Sequence, residues 1–214
     1  MNLDIEKDRR EYIHAGLSRR DLDADPTIQF DSWLQAALSS GLRDATAMSL
    51  ATVSSSGQPS LRTVLLKFFD ADGFVFYTNQ ESRKAKEMAQ NPKVALLFHW
   101  REFDRQVIIT GSAHKVSASE SFKYFLTRPR DSRVGAWVSA QSSVISSRAV
   151  LEQKFEEMKR KFSDGEIPLP SFWGGYRVEP STIEFWQGRV NRLHDRFMYR
   201  RQSDASWLIE RLAP

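Results

Sequence analysis

The chain has 214 residues, and its 31 Lys and Arg exceed its 27 Asp and Glu by four, giving a formal net charge of +4. Hydrophobic residues make up 41% and charged residues 27%, which is typical of globular proteins and excludes a disordered chain. Ten Gly and eight Pro are too few for a collagen-like or low-complexity chain, and the lack of Cys excludes disulfides, thiolate metal sites and a Cys nucleophile.

Charge gives little reason to expect nucleic-acid binding, because the surplus is small and spread along the chain. The densest basic stretch, 123–133, suits a phosphate monoester better than a long duplex. By composition alone, a solvated charged face is the favoured interpretation. No apolar run approaches the ~20 residues of a membrane-spanning helix, and the first residues are mostly charged, so we expect a cytoplasmic protein with no membrane partner.

Residues 1–24 are polar and charged and predict an N-terminal arm with a short helical turn. The first helix is predicted to begin after Asp25, with Pro26 at its first position, and to end near Gly41. Its apolar side chains recur at helical spacing and predict one buried face, formed by Phe30, Trp33, Leu34, Ala37 and Leu38.

Short runs rich in β-branched and aromatic residues then alternate with turn signals, which predicts an antiparallel sheet or a small barrel. The five predicted strands are 48–54, 60–69, 73–79, 93–100 and 105–116. One short helix, 82–90, interrupts them.

Helical patterns follow the strands. A helix over 117–128 is predicted to carry Phe122 and Phe125 on one face and to end at Pro129. A longer helix over 147–163 is predicted to bury four side chains, Leu151, Phe155, Met158 and Phe162. The remaining predicted strands are 174–180, 182–188, 195–201 and 206–212. Since no linker or repeat divides the chain, 25–214 is predicted to be one α+β domain built on a β-barrel.

Common catalytic motifs are missing from the sequence. Neither glycine-rich phosphate loop occurs, no two of the four His have the spacing of a helical zinc pair, and no G-x-S-x-G segment is present. Hydrolase and metalloenzyme interpretations are therefore weak.

The first candidate set combines cations with a helix start. Arg62 and Lys67 lie in one predicted strand, Tyr77 and Thr78 end the next, and Arg83-Lys84 open a helix. An anion there would meet side-chain cations and the free N–H groups of a helix N-terminus. A plain N-cap followed by a solvated basic turn is the alternative. In a regular strand the side chains of Arg62 and Lys67 would point to opposite faces of the sheet. For both to reach one site, Lys67 must lie past the strand end or after a bulge.

The second set is a possible phosphate clamp. Tyr124 and Arg128 are four residues apart and share a helical face. Pro129 ends that helix, so Ser132 is expected to reach the same place through a turn. A phenol, a guanidinium and a hydroxyl together suit a phosphate group, and a Tyr–Arg surface pair is the alternative.

The third set follows a predicted exposed turn at 186–188. Arg192 and His194 are two residues apart, and Arg196 continues their parity, so in an extended segment all three side chains point the same way. Three ionisable groups on one edge suggest a site, and a polar sheet edge is the alternative.

In combination these segments resemble the pyridoxine (pyridoxamine) 5′-phosphate oxidase family. The most specific motifs are RPRDS at 128–132, SFWGG at 171–175 and RLHDR at 192–196. The other matching stretches are RREY at 9–12, LRTVLLK at 61–67, FYTN at 76–79, SRKA at 82–85, RQV at 105–107 and GAWVSAQSS at 135–143. The likeness runs from near the N-terminus to the closing ERLAP.

The resemblance implies an α+β, mainly β fold: an FMN-binding split β-barrel of antiparallel Greek-key type with flanking helices. It also implies a homodimer with FMN sites between the subunits. Pyridoxine 5′-phosphate or pyridoxamine 5′-phosphate is then oxidised at C4′ to pyridoxal 5′-phosphate. FMN accepts a hydride equivalent, and O₂ reoxidises the flavin to give H₂O₂. The amine substrate also takes up water and releases ammonia.

The family's contacts carry over residue by residue and involve no metal. Its FMN contacts fall on Arg62, Val64, Leu65, Lys67, Tyr77, Thr78, Arg83, Lys84, Gln106, Gln141, Ser142, Trp186 and Arg196. Its substrate contacts fall on Arg9, Tyr12, Lys67, Tyr124, Arg128, Ser132, Arg192 and His194. Arg192 and His194 border the reacting ring and are the candidate catalytic residues, and the arm 1–24 is expected to close over the site.

Two alternatives remain from the sequence. A related split-barrel flavoprotein acting on another substrate is disfavoured by RPRDS and RLHDR. A non-catalytic protein that binds a B6 phosphate or nucleic acid is the alternative from a different class.

Overall fold

The structure is a computed structural model that describes Tyr12 and residues 16–214, and the predicted contact residue Arg9 lies outside the described residues. The α-helices of this part of the chain are α1 (Pro26–Ser39), α2 (Arg83–Gln90), α3 (Ala118–Thr127), α4 (Arg130–Val138) and α5 (Arg148–Lys161). The strands are β1 (Ala47–Val53), β2 (Pro59–Leu65), β3 (Phe68–Asp70), β4 (Gly73–Asn79), β5 (Lys93–Trp100), β6 (Arg105–Lys115), β7 (Trp173–Gln187), β8 (Asp195–Arg201) and β9 (Trp207–Leu212).

The strands form one sheet with several crossovers. Its hydrogen-bonded order is β2-β1-β5-β6-β7-β4-β3, while β8 pairs with β7 and β9 pairs with β8. The pairs β3–β4, β4–β7, β7–β8 and β8–β9 are antiparallel. Across Tyr12 and 16–214, none of the helices has the length and apolar character needed to cross a membrane.

The chain divides into two compact units, each assembled from segments that are distant in sequence. The first contains the described residues up to Leu50, together with Ala95–Gly111 and Pro180–Pro214. The second contains Ala51–Val94 and Ser112–Glu179. The division into an arm over 1–24 and a single domain over 25–214 stays a prediction.

Helix α1 forms one side of the core of the first unit. Asp25 is its N-cap and accepts a hydrogen bond from the Thr27 N–H at 2.7 Å, as the sequence predicts. The predicted apolar face is buried apart from Leu38, which is exposed. Phe30 packs edge-on against Phe98, with ring centroids 5.0 Å apart, so the face of α1 is fixed by strand aromatics.

Residues from the two ends of the described chain also bond within the first unit. The Leu17 N–H donates to Asp195 Oδ2 at 3.0 Å, and Arg211 Nη2 lies 3.0 Å from Asp195 Oδ1. The Tyr199 hydroxyl donates to the Asp23 carbonyl at 2.7 Å. The first unit therefore needs β8 and β9 to complete its hydrogen bonding.

The helices of the second unit pack around a cluster of Phe125, Val134, Phe162, Ile167 and Trp173. The two aromatic side chains predicted to share a face of α3 differ in burial, since Phe125 is fully buried whereas Phe122 is 44% exposed.

The predicted burial of the α5 face is wrong for three of its four side chains. Phe162, just past the end of α5, is buried in that cluster, whereas Leu151, Phe155 and Met158 are only half-buried. Helical spacing identified the face that turns inward, but spacing carries no information about how much of the face a neighbour covers.

Two strand predictions need correction. The predicted strand 60–69 is two strands, and Lys67 lies past the end of β2, as its parity relative to Arg62 required. The predicted strands 174–180 and 182–188 are the single strand β7, which continues through Pro180. Pro180 lies between the part of β7 paired with β4 and the part paired with β8, so neither of these two ladders needs its missing N–H.

The predicted turn leading to Ser132 is wrong, because Arg130–Val138 form helix α4 and Ser132 lies in its first turn. Pro129 follows α3 closely and is the N-cap residue of α4. A proline cannot continue a helix, but its missing N–H costs nothing where a helix begins. The same residue therefore separates two helices and brings Ser132 back towards Arg128.

Glycines of the SFWGG motif give other side chains room to approach β7. A Cβ on Gly175 would lie 2.7 Å from Tyr77 Cε1 and 2.7 Å from Val116 Cγ2, closer than carbon atoms can pack. By contrast, a Cβ on Gly135 in α4 would have no neighbour within 4 Å.

We expect Gly175→Ala to lower the free energy of unfolding by about 1–3 kcal/mol, because the added methyl overpacks Tyr77 against β7. The matched substitution Gly135→Ala should raise it by up to about 1 kcal/mol, because alanine favours a helix and the methyl has room. Urea unfolding followed by circular dichroism measures both, and equal effects of the two substitutions would contradict the described packing.

Candidate active site

The second unit contains a cavity of about 660 Å³, a volume typical of ligand sites. Ten of the predicted contact residues line it: Val64, Leu65, Lys67, Tyr77, Thr78, Lys84, Tyr124, Arg128, Ser132 and Gln141. The structure therefore brings the predicted phosphate clamp together with many of the predicted cofactor contacts.

At one end of the cavity, Arg128 has hydrogen-bonding capacity to spare. Its Nη1 is buried and has no hydrogen-bond partner among the residues that the structure describes. Burial lowers the pKa of the Arg128 guanidinium, which stays charged, and burial raises the pKa of the Tyr124 phenol, which stays protonated. A buried cationic donor without a partner, beside a phenol and the Ser132 hydroxyl, fits a phosphate group.

A second group of cations lies at the start of α2. Arg83 Nε is 2.8 Å from Glu87 Oε1, and Arg62 Nη2 is 3.3 Å from Glu87 Oε2. Lys84 extends the other way, and its Nζ donates to Gln141 Oε1 at 2.7 Å. One carboxylate therefore holds two guanidinium groups that would otherwise repel each other.

Glu87 is a site residue that the sequence interpretation missed. It is only 4% exposed, and it also accepts hydrogen bonds from the Thr52 and Ser60 hydroxyls. Burial alone would raise the pKa of this carboxyl, but the hydrogen bonds from Ser60, Thr52 and Arg83 outweigh burial and lower the pKa to about 2. The i, i+4 spacing from Arg83 was the available signal.

The N-terminus of α2 offers further donors. The hydroxyl of its N-cap residue Ser82 is buried and has no hydrogen-bond partner among the described residues. Ser142 Oγ accepts from the Arg83 N–H at 3.3 Å, and both residues line a smaller cavity of about 330 Å³. Free N–H groups, an unused hydroxyl and the nearby Arg62 and Arg83 guanidinium groups fit the phosphate group of a cofactor.

The remaining predicted residues lie in the first unit, where three rings meet. The His194 ring lies 4.6 Å from that of Trp186 and 5.1 Å from that of Tyr12. The Arg189 N–H donates to His194 Nδ1 at 3.2 Å, so the proton of the neutral ring is on Nε2. Burial, followed by the charge of Arg192, lowers the pKa of His194, and the imidazole is therefore neutral at physiological pH.

The extended segment predicted for Arg192 is wrong. Arg192 ends a single 3-10 turn, Val190–Arg192, in which Asn191 and Arg192 have φ of +57° and +60°. It is exposed, and the shared parity with His194 does not hold because the backbone is not extended there. Two successive left-handed residues other than glycine are strained, which is common at functional sites.

The predicted exposed turn at 186–188 is also wrong. Trp186 and Gln187 are the last residues of β7, and Gln187 is buried. The Gln187 amide donates to the Phe103 carbonyl at 3.0 Å and accepts from Arg105 Nε at 2.9 Å. The polar character of the segment therefore serves internal hydrogen bonding rather than a surface turn.

Two more of the predicted cofactor contacts are Gln106 and Arg196. Gln106 is half-buried in β6, and Arg196 is held by a carboxylate. Arg196 Nε and Nη2 lie 2.7 and 3.1 Å from the two oxygens of buried Glu184, and Nη1 donates to the Ala213 carbonyl at 2.9 Å. This hydrogen-bonded pairing raises the pKa of the Arg196 guanidinium. The predicted contacts of the first unit are thus Tyr12, Gln106, Trp186, Arg192, His194 and Arg196.

Two family models match the chain, over two successive stretches. Residues 34–162 match the model described as Pyridoxamine 5'-phosphate oxidase, and residues 173–214 match the Pyridoxine 5'-phosphate oxidase C-terminal dimerisation region. The chain belongs to the pyridoxamine 5′-phosphate oxidase family. It is 62% identical over 212 residues to the pyridoxine/pyridoxamine 5′-phosphate oxidase of Rippkaea orientalis, covering 99% of this chain and 100% of that relative. The Hahella chejuensis relative of the same name is 59% identical, covering 96% and 97%.

Solved structures show the same fold. PhzG from Burkholderia lata, solved with tetrahydrophenazine-1-carboxylic acid, gives a TM-score of 0.86 at 30% identity and covers 91% of this chain and 95% of its own. A pyridoxamine 5′-phosphate oxidase-related, FMN-binding protein from Nostoc punctiforme gives 0.73 at 18% identity, covering 90% and 100%. The predicted fold, a mainly β split barrel with flanking helices, is confirmed.

The depressed pKa of Glu87 predicts a pH-dependent contribution to stability. Because this pKa is about 2 in the folded chain and 4.5 ordinarily, ionised Glu87 stabilises the fold above pH 4.5, and the contribution is lost as the pH falls towards 2. Glu87→Gln should therefore lower the unfolding midpoint by a constant margin near neutral pH, and the margin should shrink in acid.

Thermal unfolding of both proteins, from neutral pH to about pH 3, measures this margin. Glu157→Gln, which alters an exposed carboxylate of α5, is the matched control and should show no such margin. A margin for Glu87→Gln that stays constant down to the lowest pH would contradict the assigned ion pairs.

Proposed function

We propose that this chain is an FMN-dependent oxidase that converts pyridoxine 5′-phosphate or pyridoxamine 5′-phosphate to pyridoxal 5′-phosphate, with O₂ reduced to H₂O₂. Relatives 56–62% identical over almost the whole chain carry the name pyridoxine/pyridoxamine 5′-phosphate oxidase, which supports the reaction and the substrate class. The main structural support for the substrate site comes from Arg128. It lines a cavity of ligand size, and its buried Nη1 has no hydrogen-bond partner among the described residues.

The substrate phosphate is proposed to bind Lys67, Tyr124, Arg128 and Ser132. All four residues line the same cavity, and they provide two cations and two hydroxyl donors. A phosphate monoester presents three acceptor oxygens and close to two negative charges, which these groups match. The phosphate is remote from C4′, so its main effect is to hold the substrate in place.

FMN is proposed to bind with its phosphate at Arg62, Arg83, Lys84 and Ser142, beside the start of α2. The free N–H groups of the helix and the unused Ser82 hydroxyl support this placement. The other proposed FMN contacts are Val64, Leu65, Lys67, Tyr77, Thr78, Gln106, Gln141, Trp186 and Arg196. When bound, FMN supplies the redox chemistry by taking two electrons from C4′ and passing them to O₂.

Arg192 and His194 are proposed to orient the substrate ring. The His194 ring is fixed by Trp186 and by the Arg189 N–H at its Nδ1, so only the proton on Nε2 remains for the substrate. His194 therefore acts as a hydrogen-bond donor through Nε2. Arg192 holds the ring and offsets negative charge on the substrate oxygen. The contact of Tyr12 with His194 supports an arm that closes over the site and excludes water.

A cytoplasmic homodimer with FMN at the subunit interface completes the proposal. Support comes from the match of 173–214 to a dimerisation region and from apolar side chains that a single chain leaves exposed. Leu61 is 69% exposed and Phe68 is 54% exposed, and a second copy would remove such surface from water.

We expect the protein to purify yellow, with FMN rather than FAD, because the cation cluster suits a terminal phosphate. Replacing both Arg83 and Lys84 by Ala should weaken FMN binding by about 10-fold or more, since charge-assisted hydrogen bonds are lost. Flavin fluorescence titration measures the change, and riboflavin, which lacks the phosphate, should lose little affinity. Unchanged FMN affinity in the double variant would contradict the assigned site.

We expect Arg128→Ala to raise KM for pyridoxamine 5′-phosphate by about 10- to 150-fold and to leave kcat nearly unchanged, because phosphate binding is similar in the ground and transition states. Arg192→Ala should raise KM and also lower kcat by about 10- to 100-fold, because a misplaced substrate ring reacts more slowly. Peroxide formation with saturating FMN measures both.

Lys123→Ala, which removes an exposed cation of α3, is the control for Arg128→Ala. If Arg128→Ala lowered only kcat while Arg192→Ala changed only KM, the two assigned roles, binding the phosphate and orienting the ring, would have to be exchanged. Absence of peroxide formation by the unaltered protein would refute the proposed reaction.

A further inference from the structure

We propose that Trp173 is a positioning residue for the phosphate clamp: its indole face holds the Arg128 guanidinium in place without using the hydrogen-bond donors that the phosphate needs. The inference rests on the proposed function, since the phosphate is that of the proposed substrate. Trp173 belongs to the SFWGG motif and had no role in the sequence interpretation beyond the resemblance.

Arg128 lacks the partner that a half-buried cation usually has. It forms no ion pair within Tyr12 and 16–214, and its Nη1 is buried without a hydrogen bond. Removing a cation from water is costly unless another group compensates. The closest compensating group is the ring of Trp173, whose centroid lies 4.8 Å from Arg128 Cζ, whereas the Phe125 centroid is 5.9 Å away.

An aromatic partner has a different consequence from a carboxylate. Glu184 occupies two nitrogens of Arg196, as a carboxylate at Arg128 would occupy the donors intended for phosphate. A ring face attracts the cation through its quadrupole and accepts no strong hydrogen bond. Arg128 can thus be held and still present its N–H groups to the cavity.

Trp173 also sets the position of the phenol in the clamp. The planes of Trp173, Tyr77 and Tyr124 are nearly parallel, within 16° of one another. Tyr77 stacks on Tyr124 with centroids 4.0 Å apart and lies 5.4 Å from Trp173. The Tyr124 phenol and the Arg128 guanidinium are therefore both placed relative to one indole.

The indole itself is well fixed. Trp173 is only 8% exposed, its backbone N–H donates to the Pro170 carbonyl at 3.0 Å, and its backbone pairs with that of Asn79 at the start of β7. The absence of a side chain on Gly175 leaves room for the Tyr77 ring against β7. The Trp-Gly-Gly part of the motif thus combines a rigid ring with the space for its neighbours.

The test compares a phosphorylated substrate with the same substrate lacking phosphate. Trp173→Leu should raise KM for pyridoxamine 5′-phosphate by about 2- to 30-fold, the range of cation–π interactions, with kcat within about twofold. With FMN saturating, kcat/KM for pyridoxamine should fall much less than kcat/KM for pyridoxamine 5′-phosphate, because no phosphate is present to report on Arg128.

Trp137→Leu is the matched control. Trp137 packs against the same cluster and donates to the Pro168 carbonyl at 2.8 Å, but it does not line the cavity. It should not distinguish the two substrates. Trp173→Phe keeps a smaller ring and should give an intermediate rise in KM, which tests the proposal if Trp173→Leu does not fold.

A double-variant comparison separates positioning from a general loss of structure. In an Arg128→Ala background, Trp173→Leu should have a much smaller effect on KM for pyridoxamine 5′-phosphate than in the unaltered protein, since only its placement of Tyr124 remains. Equal losses with both substrates, or additive effects of the two substitutions, would overturn the proposal.

Calorimetric binding of pyridoxamine 5′-phosphate keeps this test distinct from that of the reaction. A lack of turnover by the unaltered protein would refute the oxidase, while weaker binding in Trp173→Leu but not in Trp137→Leu would still support the role of Trp173. Equal binding by the two variants would overturn it.

Discussion

Repulsion between cations that await an anionic ligand is the constraint on which the arrangement of the candidate site depends. Cations placed close together in a partly buried region destabilise the fold unless each has a compensating group. Glu87 compensates Arg62 and Arg83, and the ring of Trp173 compensates Arg128. Carboxylates fix a guanidinium firmly but take up its donors, whereas the ring leaves them available. The choice of partner thus decides how much of each cation remains for a ligand.

The local parts of the fold follow from the sequence. Asp25-Pro26 marks the start of α1 because an N-cap and a proline act within one turn. Pro129 was correctly expected to end a helix, but the next helix was missed, because a proline signals a break equally well whether a helix or a loop follows it. The sequence predicts a strand end at Pro180, because the strands that pair with β7 on either side of it cannot be identified from the chain.

For the candidate site, spacing along a helix was the reliable guide. Tyr124 and Arg128 share the cavity because four residues make about one helical turn. Spacing from Arg83 indicated one ion pair of Glu87, but Thr52 and Ser60 lie on strands distant in sequence, so its burial could not be found from spacing. The predicted shared direction of the Arg192 and His194 side chains was wrong, since no local signal indicates a left-handed backbone in a residue that is not glycine. Most other contacts came from resemblance alone.

The bonds between Leu17 and Asp195, and between Asp23 and Tyr199, have a consequence for how the chain is made. They join positions 178 and 176 residues apart, and Asp195 and Tyr199 both belong to β8, which follows most of the chain. During synthesis the N-terminal segment leaves the ribosome long before its partners exist. The first unit can therefore close only after β8 has left the ribosome, and until then α1 exposes an apolar face of the kind that chaperones bind.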